Sequence, residues 1–190
     1  MAQMRALSLA EISGDLTIYF NWSANALVPF RNGAADVYLK QNHFTILKIA
    51  QKLLKQVDYT PAPIYRGIIL RHPVKSVLPH ERLQYLSFST DRSVAEHFAD
   101  VMGFGSKILD VKAQLGEYGY IIEYTPKTSE ILFHYHFLSI LPYAEAFSLL
   151  GMDGPSEVMS LNRQKEIMIL QPTEPFTNIS LITDPTVRSR

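Results

Sequence analysis

Two prolines set close together, Pro61 and Pro63 in Asp58-Tyr59-Thr60-Pro61-Ala62-Pro63, divide this chain into stretches that cannot share one secondary structure. Proline fixes φ, lacks an N–H donor and pushes the residue before it out of helical dihedrals, so no helix runs through this segment. Before it, residues 35–57 read as a strong amphipathic helix. Leu47, Ala50, Leu54 and Val57 fall on one face and Phe44, Ile46, Ile49 and Leu53 widen it, while Lys40, Lys48, Lys52 and Lys55 suit the solvent side. Residues 16–20 fit either a short strand or an irregular start.

After the prolines the pattern changes to β-rich runs at 64–70 and 83–89. A helix then follows with Asp91 or Ser93 as its cap; Ser93 and Glu96 have capping-box spacing, and Val94, Ala95, Phe98, Ala99 and Met102 supply a buried face. Gly103 and Gly105 end it. Residues 107–111 and 118–124 read as strands, 138–150 as a helix with Pro142 in its first turn, and 151–162 as a loop of turn formers. Strands at 166–170 and 178–183 close the pattern, and 185–190 read as a frayed tail. A helical front followed by a strand-rich remainder is an α+β fold.

At 190 residues, 47% of them hydrophobic, the chain is long enough to bury one core, and neither repeats nor low-complexity segments divide it. Lys+Arg and Asp+Glu are 18 each, so no basic excess marks a general nucleic-acid binder. With no cysteine, disulfides, thiolate metal sites and cysteine nucleophiles are excluded. Residues 1–10 carry one arginine and no sustained apolar run, and no stretch approaches the ~20 apolar residues of a membrane span. The expectation is a cytoplasmic protein, or one delivered into a host cell without a classical signal peptide.

Three short segments carry chemistry. Arg66, in Tyr65-Arg66-Gly67, lies inside an apolar strand, where a guanidinium is costly to bury unless it meets an anion. Its planar fork matches phosphate oxygens, and Gly67 lets a ligand approach the backbone closely; the plain alternative is a solvated edge-strand arginine. In Ser87-Phe88-Ser89-Thr90, alternation sends Ser87 and Ser89 to one face and Phe88 to the other, where the hydroxyls can cap the next helix, orient a carboxylate or touch a ribose. In Gln164-Lys165-Glu166, heading the run Ile167-Met168-Ile169-Leu170, residues 164 and 166 leave one strand face and Lys165 the other. A carboxylate there can stabilise the oxocarbenium-like charge that forms as a glycosidic bond breaks, with the amide beside it holding a nucleophile; the alternative is a polar strand start in water.

In this order the segments resemble the arginine–serine–glutamate class of mono-ADP-ribosyltransferases, which includes cholera-toxin-like, clostridial and vertebrate arginine-modifying members. An aromatic-Arg-Gly strand, an F-x-S-T-S element before a helix and a Q-x-E at the head of a strand are similar to Tyr65-Arg66-Gly67, Leu86-Ser87-Phe88-Ser89-Thr90-Asp91 and Gln164-Lys165-Glu166. The histidine–tyrosine–glutamate class fits less well, because Arg66 stands where that class has histidine. The resemblance spans roughly residues 60–183. It implies a split β-sandwich in a single domain, with a helical lobe over 1–60, a strand-rich NAD-binding core over 61–183 and a tail over 184–190.

It also implies roles. NAD is the substrate, Arg66 with Gly67 holds its phosphates, Ser89 and Thr90 support the nicotinamide ribose and brace the glutamate, Glu166 is the catalytic carboxylate and Gln164 recognises the acceptor. Two positions depart from the family: Asp91 replaces the third serine of the S-T-S element, and Leu161 stands where Q-x-E enzymes often carry an aromatic. A glutamine lacks the charge that would pair with an arginine acceptor, and its amide complements another amide or a nucleobase edge. The expected acceptor is therefore not arginine, with a protein ahead of a nucleic acid and no membrane partner. A catalytically silent interaction module, an NAD glycohydrolase and an unrelated α+β binding protein are the competing readings.

Other features carry less. His134 and His136 suit one strand face, with no third ligand at a useful spacing, so no metal is expected. Gly103-Phe104-Gly105 is no phosphate loop, although Phe104 can plug the helix end or stack on nicotinamide. Trp22, with Tyr19 and Phe20, reads as core of the front lobe.

Overall fold

The computed structural model describes residues 7–12, 14–28, 32–78, 84–100 and 118–183. The front of the chain is two helices, α1 (Asp15–Leu27) and α2 (Asn32–Gln56). Residues 16–20 are therefore helical, neither a strand nor irregular. Leu16, Tyr19, Phe20, Ser23 and Leu27 recur at helical spacing, a period that five residues are too few to reveal. In α2, Ile46, Ile49, Ala50, Leu53 and Leu54 are buried and Lys40, Lys48, Lys52 and Lys55 exposed, as the sequence indicates, while Leu47 and, just past its end, Val57 are half-buried and Leu39 joins the buried face. Phe44 is the correction: it is 87% exposed, lying roughly 160° round the helix from Ile46 at 100° per residue. Non-helical dihedrals kink α2 at Asn42, whose side-chain amide donates to the Tyr38 carbonyl at 3.0 Å.

The prolines do not themselves stop α2. Asp58 takes a left-handed conformation (φ 50°), and the Tyr59 N–H turns back to the Leu54 carbonyl at 3.2 Å, closing the helix before Pro61. The chain then enters β1 (Ile64–Leu70), followed by β2 (Tyr85–Ser89), α3 (Arg92–Ala99) and β3 (Tyr118–Tyr124). Asp91 is the cap of α3, its carboxylate accepting from Ser93 N–H.

Next come β4 (Ile131–His134), a 3₁₀ turn over Tyr135–Ser139 and α4 (Tyr143–Leu149), which breaks the single helix expected over 138–150. The loop expected over 151–162 is instead mostly helix α5 (Gly154–Gln164). Asp153 caps it and Pro155 fills its first turn, where a missing N–H costs nothing. A Cβ on Gly154 would lie 1.9 Å from the Ala144 carbonyl oxygen, so glycine is what lets α5 pack against α4. Strands β5 (Glu166–Leu170) and β6 (Ile179–Thr183) complete the order. The expectations at 101–117 (Met102, Gly103, Phe104, Gly105 and a strand at 107–111) and at 184–190 lie outside the described residues.

The fold is α+β. Among the described residues six strands form one antiparallel sheet in the order β4-β5-β2-β1-β3-β6. Helices α1 and α2 share a single core with it, in which Tyr19, Trp22 and Leu54 pack with Ile64, Phe133 and Ile167. Polar ties reinforce this layer: the Tyr19 hydroxyl donates to the Leu132 carbonyl at 2.8 Å, and the Gln51 amide to the Thr128 carbonyl at 2.8 Å. On the other face α3 packs through Ala95 and Ala99 against Ile121 and Tyr65. The front helices are thus part of the sheet's own core.

Candidate functional site

The sheet has a weak seam. β1 pairs with β3 at seven positions and β2 with β5 at five, yet β1 and β2 meet at one, Tyr65 opposite Ser89. Beyond that pair the backbone groups along the seam need other partners. Arg66 supplies one: its guanidinium donates across the seam to the Ser87 carbonyl at 2.6 Å. The sequence placed Arg66 in a strand and asked what anion repays its burial; here a carbonyl takes part of that role. Burial still pushes the Arg66 pKa below its ordinary value, and the Glu166 charge opposes that shift.

Glu166 opens β5 opposite Ser89. Its carboxyl group sits deep enough for burial to raise its pKa, against a hydrogen bond from the Ser87 hydroxyl and the attraction of Arg66. Ser87 therefore bears on both charged groups, its carbonyl accepting from Arg66 and its side chain lining the cavity with Glu166 and opposing the rise in its pKa. The sequence offered no sign of the Arg66–Ser87 bond, because its acceptor is backbone.

Ser89 is 5% exposed, and its hydroxyl donates to the Gln164 carbonyl at 2.6 Å while accepting from Asp91 N–H at 3.0 Å. The Thr90 N–H donates to the Lys165 carbonyl at 3.1 Å. Gln164 is not a strand residue: it is the last residue of α5, Lys165 follows in a left-handed conformation (φ 48°), and Glu166 begins the strand. A helix-to-strand turn, not strand alternation, accounts for Gln164 and Glu166 facing one space.

That space is a cavity of about 250 Å³. Arg66, Gly67, Ser89, Gln164 and Glu166 all line it, with Tyr65, Ser87 and Phe88 beside them; Thr90 does not, and reaches the site through its backbone alone. Val94, Ala95 and Phe98 of α3 form another wall. Phe98, expected in a buried face, is 41% exposed at this cavity. Gly67 has a role in packing as well. The group that comes close to it is α3, whose Ala95 carbonyl oxygen would lie 2.0 Å from any Cβ there. Leu161 is buried in the main core, so α5 offers no side chain from that position to an incoming molecule.

The histidines stand elsewhere. His134 ends β4 and His136 lies in the 3₁₀ turn, so they do not share a strand face; the His136 N–H donates to His134 Nδ1 at 3.2 Å. Burial, with the neighbouring His136, lowers the His134 pKa to about 4. Among the described residues no group of three or more His, Asp or Glu is placed to hold a metal ion, and no helix is long and apolar enough to cross a membrane.

No family model, no curated protein and no solved structure matches this chain.

Proposed function

We propose that the chain is an NAD-dependent mono-ADP-ribosyltransferase of the arginine–serine–glutamate class. The observation that carries this reading is that Arg66, about 100 residues before the Gln164–Glu166 turn, lines one cavity with Glu166 and Gln164 at the seam between β1 and β2. The scant pairing of β1 with β2 within the single six-stranded sheet is compatible with a split β-sandwich of that family.

In this reading the cavity takes the nicotinamide ribose of NAD. Its volume is slightly below the ~300 Å³ at which small-molecule pockets begin, enough for one end of a dinucleotide. The Arg66 guanidinium, with edges beyond the one used by Ser87, meets the phosphates. The nicotinamide–ribose bond breaks with its electron pair leaving on nicotinamide, and positive charge develops on the ribose beside the Glu166 carboxylate. The bound ring is itself cationic, so it favours the ionised carboxylate that burial disfavours. An acceptor nucleophile held by Gln164 attacks the ribose carbon and loses its proton. The Gln164 amide offers donors and an acceptor but no negative charge, which favours a protein amide or a nucleobase over arginine.

The test is to incubate the protein with NAD labelled in its adenylate half and a cell lysate, following nicotinamide release and label transfer separately. Transfer abolished by Glu166→Ala, with Arg66→Ala raising the KM for NAD, is the expected result. Release without transfer makes the protein a glycohydrolase; neither release nor transfer makes the cavity a binding site without this chemistry. Normal transfer by Glu166→Ala refutes the site assignment.

A further inference from the structure

The turn that delivers Glu166 is held by three consecutive residues at the end of β2. Ser89 Oγ donates to the Gln164 carbonyl at 2.6 Å, Thr90 N–H to the Lys165 carbonyl at 3.1 Å, and Asp91 Oδ2 accepts from Lys165 Nζ at 2.9 Å. The Asp91 carboxylate divides its work, because Oδ1 caps α3 through Ser93 N–H at 3.0 Å and the Ser93 hydroxyl at 2.7 Å. The end of β2, the start of α3 and the start of β5 therefore meet at one carboxylate. Lys165 needs such a tether, since a non-glycine residue at positive φ is strained and holds only where its surroundings over-determine it.

We propose that Asp91 and Lys165 are positioning residues, an ionic clamp that fixes the Gln164–Glu166 turn against β2 and so sets where the Glu166 carboxylate stands in the cavity. This rests on the transferase reading for its effect on chemistry and on the structure alone for its effect on the turn. It gives the aspartate that departs from the family pattern a role of its own: a charge on one strand end matched by a lysine inside the Q-x-E. Hydrogen bonds from Ser93, then Lys165, hold the Asp91 pKa down to about 2, so the pair stays charged at any working pH.

Two variants separate the clamp from mere folding. Asp91→Ser keeps a good helix cap and loses the charge; Lys165→Met keeps the same backbone demand and loses the ammonium. Each is read in the full chain by hydrogen exchange at the Thr90 amide and by steady-state NAD cleavage. Exchange at Thr90 should accelerate by roughly 10-fold in each single variant, as local opening becomes easier. The kcat should fall by roughly 3- to 10-fold with the KM for NAD nearly unchanged, and the double variant should be no worse than the poorer single, as for two halves of one contact. The wild-type kcat should also decline with added salt, since both side chains are partly exposed, and the double variant should lose that dependence. Unchanged exchange at Thr90, additive losses in the double variant, or loosened exchange with unaltered kcat each overturns the proposal. If the wild type does not cleave NAD, the transferase reading fails and Thr90 exchange alone decides whether the clamp holds the turn.

Discussion

Replacing Gly67 with alanine tests how the site wall is built. The added Cβ would sit 2.0 Å from the Ala95 carbonyl oxygen, 2.7 Å from the Ala99 nitrogen and 3.0 Å from the Ala95 carbonyl carbon. All three are backbone atoms of α3, so no side chain can rotate away. To restore ordinary contact near 3.4 Å, the helix must retreat by about 1.4 Å. Overpacking of this kind costs about 1–3 kcal/mol, and a rigid backbone neighbour places Gly67→Ala toward the upper end. Urea denaturation reads that loss directly. NAD affinity should fall with it, because Val94, Ala95 and Phe98 move with the helix that carries them. Gly33→Ala is the internal control: Gly33 lies in α2 with nothing within 4 Å of its would-be Cβ, so relief of glycine's entropy should stabilise by up to about 1 kcal/mol. A Gly67→Ala protein within about 0.5 kcal/mol of wild type would refute the packing argument, since surface changes alone span that range.

Glu166→Gln should leave the fold more stable at pH 8 than the wild type while abolishing NAD cleavage. The folded pKa of Glu166 is raised above 4.5, so ionising it costs stability as pH rises from about 4.5 through the folded value; melting curves should diverge over that window and coincide below it. His134 works in the opposite sense. With a folded pKa of about 4 against 6.5, the stability it contributes is full above pH 6.5 and is lost as pH falls toward 4, up to about 3 kcal/mol. His134→Asn, whose carbonyl can still accept the His136 N–H, should flatten that pH dependence, and an unchanged slope in urea titrations would assign the loss to other groups. Gln164→Glu should raise transfer to small arginine analogues by roughly tenfold, by adding the charge that pairs with a guanidinium; no gain would remove Gln164 from acceptor recognition.

What could be read in advance depended on how local the cause was. β1, β3 and β5 were legible because each is a short run of β-branched and aromatic residues whose own pattern decides its state. Arg66 and Glu166 stood out because charges at the margins of apolar runs need partners. Helix α5 was hidden by Gly154, Pro155 and Asn162, each a turn former alone, although the Asp153 cap, the early proline and the spacing of Val158 with Leu161 together spell a helix start. The pairing of Asp91 with Lys165 links residues 74 apart, and only the antiparallel register of β2 with β5 brings them together. The seam between β1 and β2 left no local trace at all, since a missing ladder is a property of two strands.

Ser87 has one further consequence. A cation and an anion both answer to the same serine, the first bonded to its main chain and the second held toward its charged form by its side chain. Neither charge is carried by β2, yet a change at this one β2 residue reaches the positive group on β1 and the negative group on β5 together.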